Sequence, residues 1–568
     1  MRRIGIGAGL VTMVALALPA APALGDAIVT TGSPQGINTF PENKQNEPGV
    51  ALNLHDPSNV VAGANEEIDV AFCGALDPDG IANDCPFTFG VGTSGFYTSP
   101  TNTLGWTQPT YQGFTARGET TSPGGNGHFP GPIGTPPNYH ENGLVSDGDP
   151  TLAFGPAPGP GGFSYDNGSR LYYSNLTANN ATVRQEQTFK GFEAVAVSHT
   201  DNLGSAWSNP SVVTQTRQSS TTFSDKPTVW ADNASDSKYF GRVYVCYAQF
   251  KSQQANGPAP IGFTYSTDGG ISWARPQTLT QSANNKNGTG RQGCVVKSDS
   301  LGRVYVFYEG TKSGTSHQFL TRSTNGGRSF ERPFAIAPVT DVGQPDPVTG
   351  DFVFDGNAGT RTDSFPSVDI ANGAPTGGTS ASNTIAVTWS DGTKNNEKAV
   401  VIYSNDRGDT WSDPDPVSAG GDRADFPAVA LSPNGDHAFV VYDGFTENFK
   451  NDIEGSANDR PFQGVIRTGD PAQGSTWTTK YRGPTGDARA SSANALDSEF
   501  IGDYNWIAAT NSFAIGVFND ARNGDACAAI DHYRQQLIDG STTAVAPAPN
   551  SCGNRFGNSD IYSEKVAP

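Results

Sequence analysis

Residues 265–276 read YSTDGGISWARP, which places Ser266, Asp268, Gly270 and Trp273 at the spacing S-x-D-x-G-x-x-W. The spacing returns in residues 322–333, RSTNGGRSFERP, as Ser323, Asn325, Gly327 and Phe330. It returns again in residues 403–414, YSNDRGDTWSDP, as Ser404, Asp406, Gly408 and Trp411. Two looser copies keep only the closing Gly-x-x-Trp. SHTDNLGSAW ends in Gly204 and Trp207 and reads as a box with one residue inserted after Asp201, and TGDPAQGSTW ends in Gly474 and Trp477. The closing aromatic residues stand about 57 to 81 residues apart, so one structural unit is copied several times around a closed or stacked array.

Each box follows an apolar strand, such as IGFTY before Ser266 or AVVIY before Ser404, and precedes another short strand, which places it at a hairpin tip. Asp or Asn there accepts hydrogen bonds from backbone N–H groups a few residues on, Gly supplies a positive φ, and the ring buries against the sheet. These residues serve the turn's own backbone. The boxes therefore mark the fold without locating a reaction centre.

The pattern resembles the Asp-box, or bacterial neuraminidase repeat, of the sialidase-like superfamily, and the likeness extends over nearly the whole chain after its leader. It implies a β-propeller. The same turn occurs in glycosidases, other carbohydrate-active proteins and non-enzymatic propellers, so it implies sialidase chemistry less strongly than it implies the fold.

A second landmark gives the number of units. Inner-strand patterns, often with proline near the start, begin at Glu47 (EPGVALN), Asp149 (DPTLAFG), Lys226 (KPTVWAD), Gln292 (QGCVVKSD), Phe365 (FPSVDIA), Phe426 (FPAVALS) and Asp503 (DYNWIAAT). Each is followed by a second strand: NVVAGAN, RLYYSNL, RVYVCYA, RVYVFYE, TIAVTWS, HAFVVYD and FAIGVFN. The expectation is an all-β propeller of four-stranded antiparallel blades, seven in number, or six if one unit is an embellishment. The last unit has no box, and the segment around AIVTTG near the N-terminus can supply its outer strand and close the ring. No long helical periodicity follows the leader. The Gly/Pro/Asn-rich stretch from 108 to 146 reads as a long loop over one mouth.

The first 27 residues, with Arg2 and Arg3, an apolar run from Ile4 to Leu18 and small residues up to Ala27, read as a secretory signal peptide. Residues 28–568 then form a single propeller domain, exported and without a later span of about 20 apolar residues. A net charge of −20 and a pI near 4.7 exclude nucleic acid and anionic membrane as natural partners. An extracellular glycan or glycoconjugate fits, and the oligomeric state is open. Six cysteines in an exported chain suggest three disulfides among fifteen pairings. Cys73 with Cys85 and Cys527 with Cys552 would close short loops. Cys246 and Cys294 would then pair, or remain as buried thiols.

Residues just before each inner strand of a propeller converge on one mouth. Acidic residues recur there, as Glu47, Asp149, Asp225, Asp425 and Asp503, with Glu499 close by. Arg291, Arg361, Arg423 and Arg489 lie slightly upstream in four units, about 62 to 70 residues apart. Two carboxyls can serve as acid and base or nucleophile in glycoside cleavage, and Arg suits a substrate carboxylate. By resemblance to sialidases, in which three arginines hold the sugar carboxylate, an Asp is the acid/base and a Glu-assisted Tyr is the nucleophile, Tyr504 is the candidate nucleophile. Asp225 is then the acid/base and Glu309 or Glu499 the partner base of Tyr504, since a phenol of pKa near 10 needs one. Sialidases carry their first arginine in an Arg-Ile-Pro motif in the opening blade, whereas no arginine occurs here between Arg3 and Arg117.

Asp77, Asp79 and Asp84 in DPDGIAND form a fragment of a calcium loop without its closing Glu, so a structural calcium is the one cofactor candidate. The seven histidines, including His128 and His140 in the long loop, lack zinc-site spacing. Three activities stay open: an exported glycoside hydrolase with exo-sialidase as the inherited label, a non-catalytic glycan- or protein-binding propeller, and a polysaccharide lyase acting on uronates.

Overall fold

The computed structural model describes residues 25–30, 45–66, 93–108, 111–115, 129–133, 135–181, 183–214, 222–250, 259–280, 289–493, 495–547, 551–553 and 555–568. The chain is a seven-bladed β-propeller of mostly four-stranded antiparallel sheets. The inner strands are Gln45–Leu52, Thr151–Gly159, Phe223–Ala231, Thr289–Ser298, Ser367–Ile370, Arg423–Leu431 and Trp506–Ala509, for blades 1 to 7. All seven units read from the strand patterns become blades.

The second strands of the blades, such as Val60–Glu66, Val243–Phe250, Ala438–Phe445 and Ala514–Asp520, are buried on both faces because the sheets stack face against face. Val195 and Val197 of blade 2 meet Val229, Val243 and Val245 of blade 3, and Tyr244 and Phe263 of blade 3 meet Val296, Val306 and Phe319 of blade 4. Consecutive alternating Val, Tyr and Phe suit such two-sided burial. Cys246 in the second strand of blade 3 is bonded to Cys294 in the inner strand of blade 4, so the two are not free thiols, and Cys527 is bonded to Cys552. Cys73 and Cys85 lie outside the described residues.

The seventh blade takes its outer strand from the other end of the chain. Ala27 and Ile28 pair with Ser563 and Tyr562, and Asp26 receives hydrogen bonds from Tyr481 and from Arg522. Blade 1 has three strands, its fourth reduced to a bridge between Thr98 and Thr107.

The boxes lie between the third and fourth strands of their blades. In blade 3 the Ser266 hydroxyl donates to Asp268 at 2.8 Å and accepts from the Gly270 N–H at 2.9 Å, while Asp268 accepts from the Ser272 N–H at 2.9 Å. Blades 4 and 5 repeat this with Ser323, Asn325 and Gly327 and with Ser404, Asp406 and Gly408. Trp273, Phe330 and Trp411 pack against the cores between blades.

The blade 2 copy has no insertion. Gly204 donates to the Thr200 hydroxyl at 3.1 Å and Ala206 donates to Asn202 at 2.8 Å, so Thr200, Asn202, Gly204 and Trp207 keep the regular spacing. Asp201 instead pairs in a bidentate manner with Arg170, both contacts at 2.7 Å.

Two further expectations are corrected. The 108–146 stretch contains a two-stranded hairpin, Tyr111–Thr115 with Phe129–Ile133, and its end, Leu144–Ser146, joins the sheet of blade 2. An eleven-residue helix, Ala528–Ile538, follows Cys527 between the second and third strands of blade 7, and among the described residues no helix is long and apolar enough to cross a membrane. Its first apolar positions, Ile530 and Tyr533, pack with Leu496 and Phe556.

Candidate active site

Four inner strands start in the same unusual way. Glu47, Asp149, Lys226 and Phe426 each stand immediately before a proline, yet adopt φ between 46° and 56°. A residue before proline favours extended backbone, and a left-handed non-glycine costs about 1–3 kcal/mol. Register shifts follow in blades 1, 3 and 6, between Asn46 and Gly49, Asp225 and Thr228, and Asp425 and Ala428.

The hydrogen bonds account for the distortion. It turns each N–H toward a side-chain oxygen: Glu47 to Asn519 at 3.2 Å, Asp149 to Asn65 at 2.8 Å, Lys226 to Asp225 at 2.8 Å and to Asp149 at 3.2 Å, and Phe426 to Asp425 at 3.0 Å. Three of these acceptors, Asn519, Asn65 and Asp149, belong to the preceding blade. The starts of the inner strands are thus stitched around the ring and aim their side chains at one mouth.

Asp503 is the ionic centre of that mouth. Arg361 holds it in a bidentate pair at 2.8 and 2.7 Å, and Lys226 reaches it from blade 3 at 2.8 Å. Arg361 also comes within 3.9 Å of Glu47. Lys226 lies over the Phe365 and Tyr504 rings and Arg361 over Phe500. Burial works against the charge of Asp503, but the two cations hold its carboxyl well below the usual range. Gly502 permits the approach, because a Cβ there would stand 2.8 Å from the Glu47 nitrogen.

Beside this centre lies a set of carboxyls. Asp149 is in hydrogen-bond reach of both Glu47 and Asp225, and the Tyr504 hydroxyl donates to Asp149 at 3.3 Å. Asn65 donates to Glu47 at 2.7 Å. Burial raises all three carboxyls, and the neighbouring Asp149 helps push Asp225 up to about 7. Burial and the surrounding carboxylates also raise the Tyr504 phenol, so it needs a base. Glu193, raised by burial and by Asp147, Asp225 and Asp149, extends the acidic wall.

Glu47, Asp149, Asp225, Arg361, Asp503 and Tyr504 are therefore brought together. Asp425 stands on the blade 6 side, where it accepts from the Thr362 hydroxyl at 2.7 Å and faces Asp443 across the sheet. Burial moves the Asp443 carboxyl up to about 8. Arg423, Arg489 and Glu499 are engaged by other partners. Arg423 is 4% exposed and forks onto Glu397 at 2.7 and 2.9 Å. Arg489 is equally buried and pairs with Asp487, Asp459 and Asp531. Glu499 is paired with Arg460, and Glu309 is fully buried opposite Gln292 and Gln318 in blade 4. Arg291 lies in the inner strand of blade 4, and its side chain is outside the described residues, as are Asp77, Asp79, Asp84 and His128. His140 contacts Asn180 at 2.8 Å. Among the described residues there is no cluster suited to a metal ion.

Lys226, Asn65 and Asn519 are site residues that the search for acids and arginines passes over. Lys226 was within reach of sequence reasoning, because it occupies the same pre-proline position as Glu47 and Asp149. Asn65 and Asn519, at the ends of second strands, carry no such signal.

No family model and no curated protein matches the chain. Solved structures do resemble it. A protein of unknown function from Dyadobacter fermentans is 11% identical, with 75% of this chain and 96% of that one covered and a TM-score of 0.38. The Hadza microbial sialidase is 11% identical over 71% of this chain and 63% of its own, at 0.40. The intramolecular trans-sialidase of Ruminococcus gnavus is 14% identical over 74% and 94%, at 0.41.

Proposed function

We propose that this propeller is a carbohydrate-active hydrolase that cleaves a glycosidic bond at the Asp503 mouth. The observation that carries the reading is the connected set Tyr504, Asp149, Glu47 and Asp225, with Asp225 holding its proton up to about 7 beside a phenol that donates to a carboxyl. A protonated acid and an assisted nucleophile are the two parts that glycoside hydrolysis with retention requires.

In this mechanism the Tyr504 oxygen attacks the anomeric carbon, and its proton passes to Asp149 as Asp149 gives its own to Glu47. Lys226, Arg361 and Asn65 support the Glu47 carboxylate that begins this relay. Asp225 donates its proton to the leaving oxygen as the glycosidic bond breaks. It then removes a proton from the water that releases the sugar from Tyr504, and the relay runs back.

The inherited exo-sialidase label fits less well. Arg423 and Arg489 are engaged by structural carboxylates, and Arg361 is held by Asp503. The same engagement favours a second reading, a propeller that binds glycans at this mouth without cleaving them. A lyase site, with Tyr or His beside Arg and no carboxyl set, matches the geometry least.

The test is a panel of neutral, amino, uronic and sialic aryl glycosides, assayed with the wild type, Tyr504→Phe and Asp225→Ala. Release that disappears in both variants is expected. Glycan binding with no release from any substrate points to the second reading, and activity that survives both substitutions removes this site from consideration.

A further inference from the structure

Among the described residues, Arg361 and Lys226 are the two cations aimed into the mouth, and an acidic sugar entering there meets them. Both already share a carboxylate. Asp503 accepts from Arg361 Nε through one oxygen and from Arg361 Nη2 and Lys226 Nζ through the other, all within 2.7–2.8 Å. The pairing is asymmetric in exposure, with Arg361 51% exposed and Asp503 9%. An incoming anion could therefore touch the guanidinium from the solvent side, but could not take its fork without leaving the buried Asp503 carboxylate with Lys226 as its one remaining cation. Glu47 stands on the remaining side of Arg361, and Asp149, Asp225 and Glu193 line the wall beyond it.

We propose that Asp503 determines specificity at this mouth: its carboxylate occupies the place that the anionic group of a sugar would take between Arg361 and Lys226, so the site accepts neutral glycans and rejects uronates and sialates. This rests on the reading of the mouth as a glycan site. Rejection of one ligand class by a built-in competing charge is a recognised route to selectivity, since breaking a desolvated ion pair costs more than a new surface contact returns. Neutral hydroxyls meet no such barrier, because carboxyl oxygens and the free edge of Arg361 can accept from and donate to them.

The test titrates sodium glucuronate and methyl glucoside into the wild type, Asp503→Ala, Asp503→Asn and the double variant Asp503→Ala/Arg361→Gln, with circular dichroism to check folding. Asp503→Ala should bind glucuronate at least about tenfold more tightly than the wild type, and the double variant should lose that gain. Asp503→Asn keeps an acceptor for Arg361 while removing the charge. It should move in the same direction by less, and it carries the test if the alanine variant does not fold. Wild-type protein that binds glucuronate as tightly as the glucoside overturns the proposal. So does a folded Asp503 variant with no gain.

Binding is read without turnover, so the two conclusions fail separately. Cleavage of an acidic glycoside by the wild type would sink the role of Asp503 and leave the hydrolase standing. Gain of glucuronate binding with no cleavage of any glycoside would do the reverse.

Discussion

The two ends of this propeller use the same side chain for opposite purposes. At the box end, Asp406 lies in solvent and accepts from the Thr410 hydroxyl and from the Thr410 and Asp409 N–H groups, which hold its carboxyl down to about 2. At the mouth, Asp225 is shielded, stands against Asp149 and is pushed up to about 7. One aspartate is satisfied by its own turn and has nothing left to offer. The other is destabilised in its charged form, which is the condition under which a carboxyl can exchange protons near neutrality. Positive φ occurs at both ends: the box turns place Gly270 and Gly408 there but also Leu203 and Arg407, and the mouth places Glu47, Asp149 and Lys226 there, each before a proline.

The sharpest way to break this contrast is substitution at each end. Tyr504→Phe and Asp225→Asn should each lower glycoside cleavage by roughly 10²–10⁴-fold, with the folded structure retained. Cleavage unchanged in both would place the mouth in the same class as the boxes, a structural device. The rate should also fall as pH rises through about 7, where Asp225 loses its proton, and a pH–rate profile of the wild type checks this.

Stability should separate the ends by sign. Unfolded aspartate ionises near pH 3.9, while folded Asp225 keeps its proton to about 7. Its contribution is therefore fully present below about pH 4 and is lost as pH rises from there to about 7, an effect of a few kcal/mol that Asp225→Asn should remove. Folded Asp406 ionises near 2, so its contribution is present above about pH 4 and is lost as pH falls toward 2. Denaturant titrations of the wild type, Asp225→Asn and Asp406→Asn at several pH values would read both slopes, and equal slopes would erase the contrast.

Two smaller effects sharpen it. Removing residues 25–30 takes away the outer strand of blade 7 and the Asp26 partner of Arg522. It should cost about 2 kcal/mol and increase self-association, read by calorimetry and light scattering. Asp406→Ala should cost about 1 kcal/mol, as loss of a comparable capping aspartate does, and leave cleavage per folded molecule unchanged.

The legibility of the chain follows the same line. The boxes were readable because each is local: its donors and acceptors lie within five residues of one another, so spacing alone encodes the turn. The one misreading, an insertion after Asp201, arose because Asp201 looked like the box acid. Asn202 fills that role, and Asp201 is drawn away by Arg170 of the adjacent strand. Five of the seven inner strands stand behind a proline, and the other two, QGCVVKSD and DYNWIAAT, are marked by the apolar strand that follows each.

At the mouth, sequence period gives height along the axis but not distance from it. Arg361, Arg423 and Arg489 share a period, yet only Arg361 reaches Asp503, because Glu397 and Asp487 capture the other two first. The pre-proline position of Lys226 marks its height at the mouth, but neither it nor Asn65 shows its partner in the sequence. Their partners are 277 and 18 residues away, and no local pattern announces such a meeting.

The seventh blade draws on both extremities of the chain, since Ala27 and Ile28 lie beside Tyr562 and Ser563. A chain emerging in order from the ribosome can complete six spokes while the last remains half built. The rim is latched only when Tyr562 and Ser563 meet a strand synthesised more than five hundred residues earlier, so closing the ring brings together the most distant pairing in the propeller.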